Sequence, residues 1–115
     1  MIRIYHNNRC SKSRATLALL EQRGEPVKVI NYLETPPTAA ELGVLLKQLG
    51  MSARQLLRLG EDEYQALGLE NPALDDAALI AAMVAHPKLI ERPIVVANGK
   101  AAIGRPPEAV LGILA

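Results

Sequence analysis

Ile2 and Ile4 alternate with Arg3 and Tyr5 at the start of the chain, a period of two that predicts a short strand. From Ser11 to about Arg23 the apolar positions, Leu17 and Leu20 among them, shift to helical spacing, and Gly24 stops that run. Pro26 then precedes a β-branched stretch from Val27 to about Tyr32, which reads as a second strand. Strand, helix and strand in this order imply a right-handed parallel crossover. Cys10 falls at the first strand-to-helix junction.

The sequence Glu34-Thr35-Pro36-Pro37 reads as a turn. Thr38 with Glu41 is a capping box opening a helix that carries Leu42, Leu45, Leu46 and Leu49 on one face, and Gly50 ends it. Ser52 with Gln55 repeats that signature for a short helix expected to reach Arg58, with Gly60 beyond it. A further helical turn is expected from Glu61 to Leu67. Asp75 or Asp76 can cap a helix through Leu79, Ile80, Met83 and Val84, which His86-Pro87 terminates. Between Ile94 and Ile103 the Asn98-Gly99 pair suits the positive φ angles of a type I′ hairpin turn. A last short helix follows Pro106-Pro107 through Val110, Leu111 and Ile113. The predicted class is α/β: a mixed sheet of about four strands with flanking helices, matching a thioredoxin-like fold. Residues 1–115 are expected to form a single domain, with a helical insertion at about 38–90.

Composition narrows what such a fold can do. With 50% hydrophobic and 22% charged residues the chain is expected to bury a core, and a net charge of +1 leaves no field to hold nucleic acid. Any anion site must therefore be local. No segment approaches a membrane span and the N-terminus has no apolar leader, so the cytoplasm is the expected location. One cysteine cannot form an internal disulfide, so Cys10 is a buried filler, a metal ligand without soft partners, or a reactive thiol.

A thiolate at a helix N-terminus faces unpaired N–H groups and the positive end of the macrodipole, both favouring its charged form. Arg9, Lys12 and Arg14 lie within one turn and add positive potential, so a lowered thiol pKa is expected. The polar neighbours Asn7, Asn8, Arg9, Ser11, Lys12 and Ser13 would make a poor wall for an inert core thiol, and they predict exposure at a loop tip. A resolving cysteine three positions on is replaced by Ser13, so any adduct on Cys10 must be released by an outside thiol. The cysteine-phosphatase pattern needs arginine six residues after the thiol, where Thr16 stands.

The hairpin turn pairs Ala97 with Lys100 and Val95 with Ala102; continued outward, it sets Arg92 opposite Arg105. Two unpartnered cations placed so close are destabilising, a conflict that a bound oxyanion would remove. Guanidinium geometry suits bidentate capture of phosphate-like oxygens. If this hairpin runs antiparallel to the first strand, the same end lies beside Cys10. Arg58 cannot be positioned by periodicity, and spacing does not prefer it over Arg54. His6 ends a strand and could hydrogen-bond within the loop before Cys10; His86 is read as a helix-end residue.

The segments Tyr5-His-Asn-Asn-Arg-Cys-Ser-Lys-Ser-Arg14, Tyr32-Leu-Glu-Thr-Pro-Pro37, Leu56-Leu-Arg58, Glu91-Arg-Pro-Ile-Val-Val96 and Gly104-Arg-Pro-Pro107 together resemble the glutaredoxin-coupled arsenate reductases, the ArsC family, and especially its short YfgD-like members. Arg9, at a position that is small in the well-known reductases, and an end at Ala115 without their longer tail both suit that branch. The resemblance implies a cysteine enzyme converting arsenate to arsenite. In it Cys10 is the nucleophile, Arg58, Arg92 and Arg105 bind the oxyanion, and His6, Ser13 and Arg14 support the thiolate. Pro93 resembles the family's cis-proline. It also implies glutathione as co-substrate, glutaredoxin as partner, no bound cofactor or metal, and a monomer. The alternatives are another glutathione-linked thiol oxidoreductase of the same family, or a regulatory module resembling Spx; Ser13 removes the Cys-x-x-Cys switch usual in Spx.

Overall fold

The computed structural model describes residues 2–114. Its elements follow the predicted order: β1 (Ile2–His6), α1 (Ser11–Gln22), β2 (Val27–Asn31), α2 (Ala39–Leu49), α3 (Ala53–Leu56), α4 (Asp62–Ala66), α5 (Asp76–Ala85), β3 (Ile94–Ala97) and β4 (Lys100–Ile103). Short 3₁₀ helices cover Pro87–Leu89 and Pro107–Ile113, the latter in the place of the expected last short helix. No helix among the described residues is long and apolar enough to cross a membrane.

The strands form one sheet in the order β2-β1-β3-β4, with β1 parallel to β2 and antiparallel to β3. Asn98 (φ 55) and Gly99 (φ 72) supply the two positive φ angles that the hairpin turn needs, and Ala97 pairs with Lys100 and Val95 with Ala102, the predicted register. Simple alternation fails at Tyr5. It is buried along with Ile2, Ile4 and His6, because β1 is a central strand and is enclosed on both faces toward its carboxyl end.

The chain divides into two compact units, one made of residues up to Thr35 with those from Arg92 onward, the other of Pro36–Glu91. The first unit contains the whole sheet. Its core joins Ile2 and Ile4 of β1, Leu20 of α1, Val95 and Ala97 of β3, and Val110 of the closing 3₁₀ helix. Fully burying each of the Ile, Leu and Val side chains among them contributes about 1.5 to 3 kcal/mol.

The Pro36–Glu91 unit contains the stretch, about 38–90, read from sequence as a helical insertion. Both predicted capping boxes form: Thr38 accepts from the Glu41 N–H and Ser52 from the Gln55 N–H, each reciprocated by the acidic or amide side chain. Asp75 caps α5 by accepting from the Ala78 N–H at 2.9 Å. The helix opened by Ser52 stops at Leu56, short of Arg58. Leu57 turns extended (φ −72, ψ 132) and bridges to Ile90, with the Arg58 N–H donating to the Leu89 carbonyl at 2.7 Å. Pairing with that segment outcompetes another turn of a helix too short to be stable alone. Arg54, which spacing alone did not place, clips a loop by donating to the carbonyls of Leu69 and Asn71, both at 3.0 Å.

Candidate active site

β1 delivers the chain into a tight loop at His6. The Cys10 N–H donates to the Asn7 carbonyl at 3.0 Å, and the Cys10 carbonyl accepts the first α1 hydrogen bond, from the Arg14 N–H, also at 3.0 Å. Cys10 is thus the N-cap of a 12-residue helix, with extended backbone (φ −96, ψ 121). Its sulfur makes no geometric capping hydrogen bond, but it lies in the field of the free N–H groups at the helix start.

The expectation of an exposed loop tip does not hold, because Cys10 is only 8% exposed. Burial does not make it inert, since the cover is polar. Arg105 Nη2 donates to Cys10 Sγ at 3.4 Å, and the Arg92 guanidinium stands beside the same sulfur. Burial pushes the thiol pKa up. The Ser13 N–H, the hydrogen bond and positive charge of Arg92, and the Lys12 N–H pull it down further, so the net direction is below the ordinary value.

The hairpin explains how the two arginines arrive. Pairing of Tyr5 with Ile94 and of Ile4 with Val95 carries the Pro93 end of β3 to the carboxyl end of β1, next to the cysteine loop. The Gly104 N–H donates to the Pro93 carbonyl at 3.0 Å, continuing the hairpin past its strands, and both Arg92-Pro93 and Arg105-Pro106 are cis. The second cis bond has no counterpart in the sequence reading. Arg105 Nε donates to the Arg92 carbonyl at 2.7 Å, which fixes the Arg105 guanidinium while its Nη2 reaches the thiol.

Beneath the loop lies a buried polar chain. Ser13, fully buried, accepts from the Asn7 N–H at 3.0 Å and meets His6 Nδ1 at 2.6 Å, while His6 Nε2 meets Asn8 Oδ1. The tautomer protonated at Nε2 satisfies every partner: Nε2–H donates to Asn8 and the Ser13 hydroxyl donates to Nδ1. His6 and Ser13 therefore brace the loop and hold the Ser13 N–H at the start of α1. Arg14 acts through the loop as well, with Nη1 donating to the Asn8 carbonyl at 2.8 Å.

Arg58 belongs to the Pro36–Glu91 unit, where Nη1 lies 3.9 Å from Glu61 and Nε 3.8 Å from Glu91. Several supporting residues had no sequence signal of their own. Asn7 and Asn8 read as generic loop polars. Gly104 is required because a Cβ there would meet Pro93 Cγ at 2.8 Å and would press still harder on the Thr16 hydroxyl. Among the described residues no group of three or more His, Cys, Asp or Glu side chains could hold a metal ion.

The ArsC family model matches residues 5–113, nearly the whole chain. The chain belongs to the ArsC family. An arsenate reductase of Neisseria meningitidis is 54% identical to this ArsC protein over 114 residues, covering 98% of this chain and 97% of the relative. The uncharacterized protein YfgD of Escherichia coli K12 is 61% identical over 114 residues, covering 98% and 96%. Among solved structures, an arsenate reductase from Vibrio cholerae superposes with a TM-score of 0.96 at 57% identity, covering 98% of this chain and 97% of that one. The fold is accordingly thioredoxin-like, as its strand order predicts.

Proposed function

We propose that this ArsC protein reduces arsenate to arsenite, with Cys10 as the single nucleophile and a glutathione and glutaredoxin pair as the source of electrons. The observation that carries this reading is the Arg105 guanidinium on Cys10 Sγ at 3.4 Å, beside Arg92, at the start of a helix. The names of its close relatives supply the substrate class.

In this mechanism the tetrahedral oxyanion enters between the thiolate and the two guanidiniums. Sγ attacks arsenic and one oxygen leaves as water after protonation. Arg92 and Arg105 offset the charge on the remaining oxygens, in a setting where removing one such donor has cost about 3 to 4 kcal/mol in a well-studied protease. Reduction takes two electrons. An arsenic acid and two thiols give arsenous acid, one disulfide and one water; with Ser13 in place of a resolving cysteine, the second thiol comes from outside the chain. Glutathione attacks the adduct, arsenite leaves, and glutaredoxin takes the glutathione from Cys10. Family resemblance, rather than any distance, assigns Arg58 a share in the oxyanion. The same reading expects a monomer in the reducing cytoplasm, where an unpaired thiol persists.

The test is arsenate-dependent NADPH consumption coupled through glutathione, glutaredoxin and glutathione reductase. Wild type should turn over, Cys10→Ser should not, and Arg105→Ala should lose about a hundredfold or more in kcat/KM. Absence of any rate at millimolar arsenate, with Cys10 still reactive toward iodoacetamide, points to another glutathione-linked thiol reaction.

A further inference from the structure

β1 and β2 run parallel, and their carboxyl ends pair at His6 and Asn31. Beyond these ends the cysteine loop and the segment after β2 diverge and enclose a cleft of about 360 Å³, within the range that holds a small ligand. Its walls include His6, Asn8 and Arg9 on the loop that leads into Cys10, and Asn31, Leu33 and Glu34 opposite in sequence. The oxyanion reading leaves this cleft unused, since Arg92 and Arg105 approach the sulfur from the hairpin.

Its chemistry is mixed in a particular way. Arg9 offers a cation and Glu34 a carboxylate, and among the described residues neither is engaged in an ion pair. The asparagines supply neutral donors and acceptors of peptide type. Leu33, 39% exposed, adds an apolar surface. An inorganic oxyanion would be repelled by Glu34 and has no use for an apolar wall. A small zwitterionic peptide carries an ammonium for Glu34, a carboxylate for Arg9, and amides for the asparagines.

We infer that this cleft seats the small peptide thiol that relieves the Cys10 adduct, a molecule of the glutathione type. The assignment rests on the thiol-coupled reading above and gives it a docking place. The donor then approaches along the cysteine loop while the arsenic-bearing side stays with the arginines, so the two substrates need not exchange places.

The test uses the full chain and S-methylglutathione, which cannot react with Cys10. Titration followed by backbone amide shifts should give saturable changes at His6–Arg9 and Asn31–Glu34, and Glu34→Gln should weaken the affinity about fivefold, as loss of one exposed ion pair allows. Changes that never saturate, or that cluster elsewhere, overturn the assignment. Because no turnover is needed, binding in the cleft by a chain that reduces no arsenate removes the arsenate reading and keeps the docking site. In the kinetic arm, Glu34→Gln should lower kcat/KM for glutathione and spare the reaction driven by mercaptoethanol, which has neither ammonium nor carboxylate. An equal loss with both thiols overturns the proposal. So does a defect seen only with glutaredoxin alongside an unchanged S-methylglutathione titration, which would give the cleft to a protein partner.

Discussion

Burial by itself would keep the Cys10 thiol protonated, and the opposing groups can be removed one at a time. Arg92 contributes both a hydrogen bond and a positive charge, so Arg92→Met should shift the midpoint of the iodoacetamide rate profile to higher pH. The sign also holds for folding. A thiol whose pKa is lower in the folded than in the unfolded chain adds stability above the unfolded pKa and loses it as pH falls through the folded one. A profile for Arg92→Met that overlays wild type would mean the thiolate is set by the helix start and Arg105 without Arg92. Ser13→Ala tests the layer beneath. It strips His6 Nδ1 and the Asn7 N–H of a buried partner and should cost about 1 to 3 kcal/mol in denaturant unfolding. At this scale the sequence was informative about Cys10, Arg92 and Arg105, whose types and neighbours suggest their chemistry. It was misleading about exposure, because whether a thiol at a helix start is covered depends on a guanidinium arriving from 95 residues away.

Among the elements, the hairpin and α1 share the apolar core and also approach closely at Gly104. Gly104 lies where a side chain would collide with Thr16 of α1 and with Pro93, two residues that bound the cysteine and arginine segments. Gly104→Ala should therefore destabilise the fold by about 1 to 3 kcal/mol, measured as a lowered unfolding midpoint, and should reduce kcat/KM beyond what the stability loss explains. Wild-type stability and kinetics in that variant would show that the contact yields easily. Element identity was largely legible. The capping signatures at Thr38 and Ser52, the αL-compatible turn at Asn98-Gly99 and the apolar spacing all rest on local backbone physics. Where local signals failed, a distant partner won. The helix after Ser52 ends early because Leu57 pairs with Ile90, and Arg54 is bound to the carbonyls of Leu69 and Asn71.

For the molecule as a whole, a net charge of +1 means that capture of an oxyanion cannot depend on long-range steering. Raising ionic strength with sodium chloride from about 0.05 to 0.3 M should change kcat/KM for arsenate less than about threefold, since a partly buried site is screened weakly. Sulfate or phosphate at matched ionic strength should compete outright, because they fit the same guanidiniums. A steep loss in chloride, of the order of that seen with sulfate, would contradict a local site.

What the chain determined by itself is whatever a few neighbouring residues decide: the periods of its strands and helices, the caps and turns that bound them, and a lone cysteine at a helix start with no second thiol three positions on. The strand order, the cover over Cys10 and the orientation of Arg105 between the Arg92 carbonyl and the sulfur came only with tertiary structure. The reason is that a guanidinium's role depends on which acceptor it can reach. That is a property of sheet register and close backbone approach, which bring together residues that share no local signal.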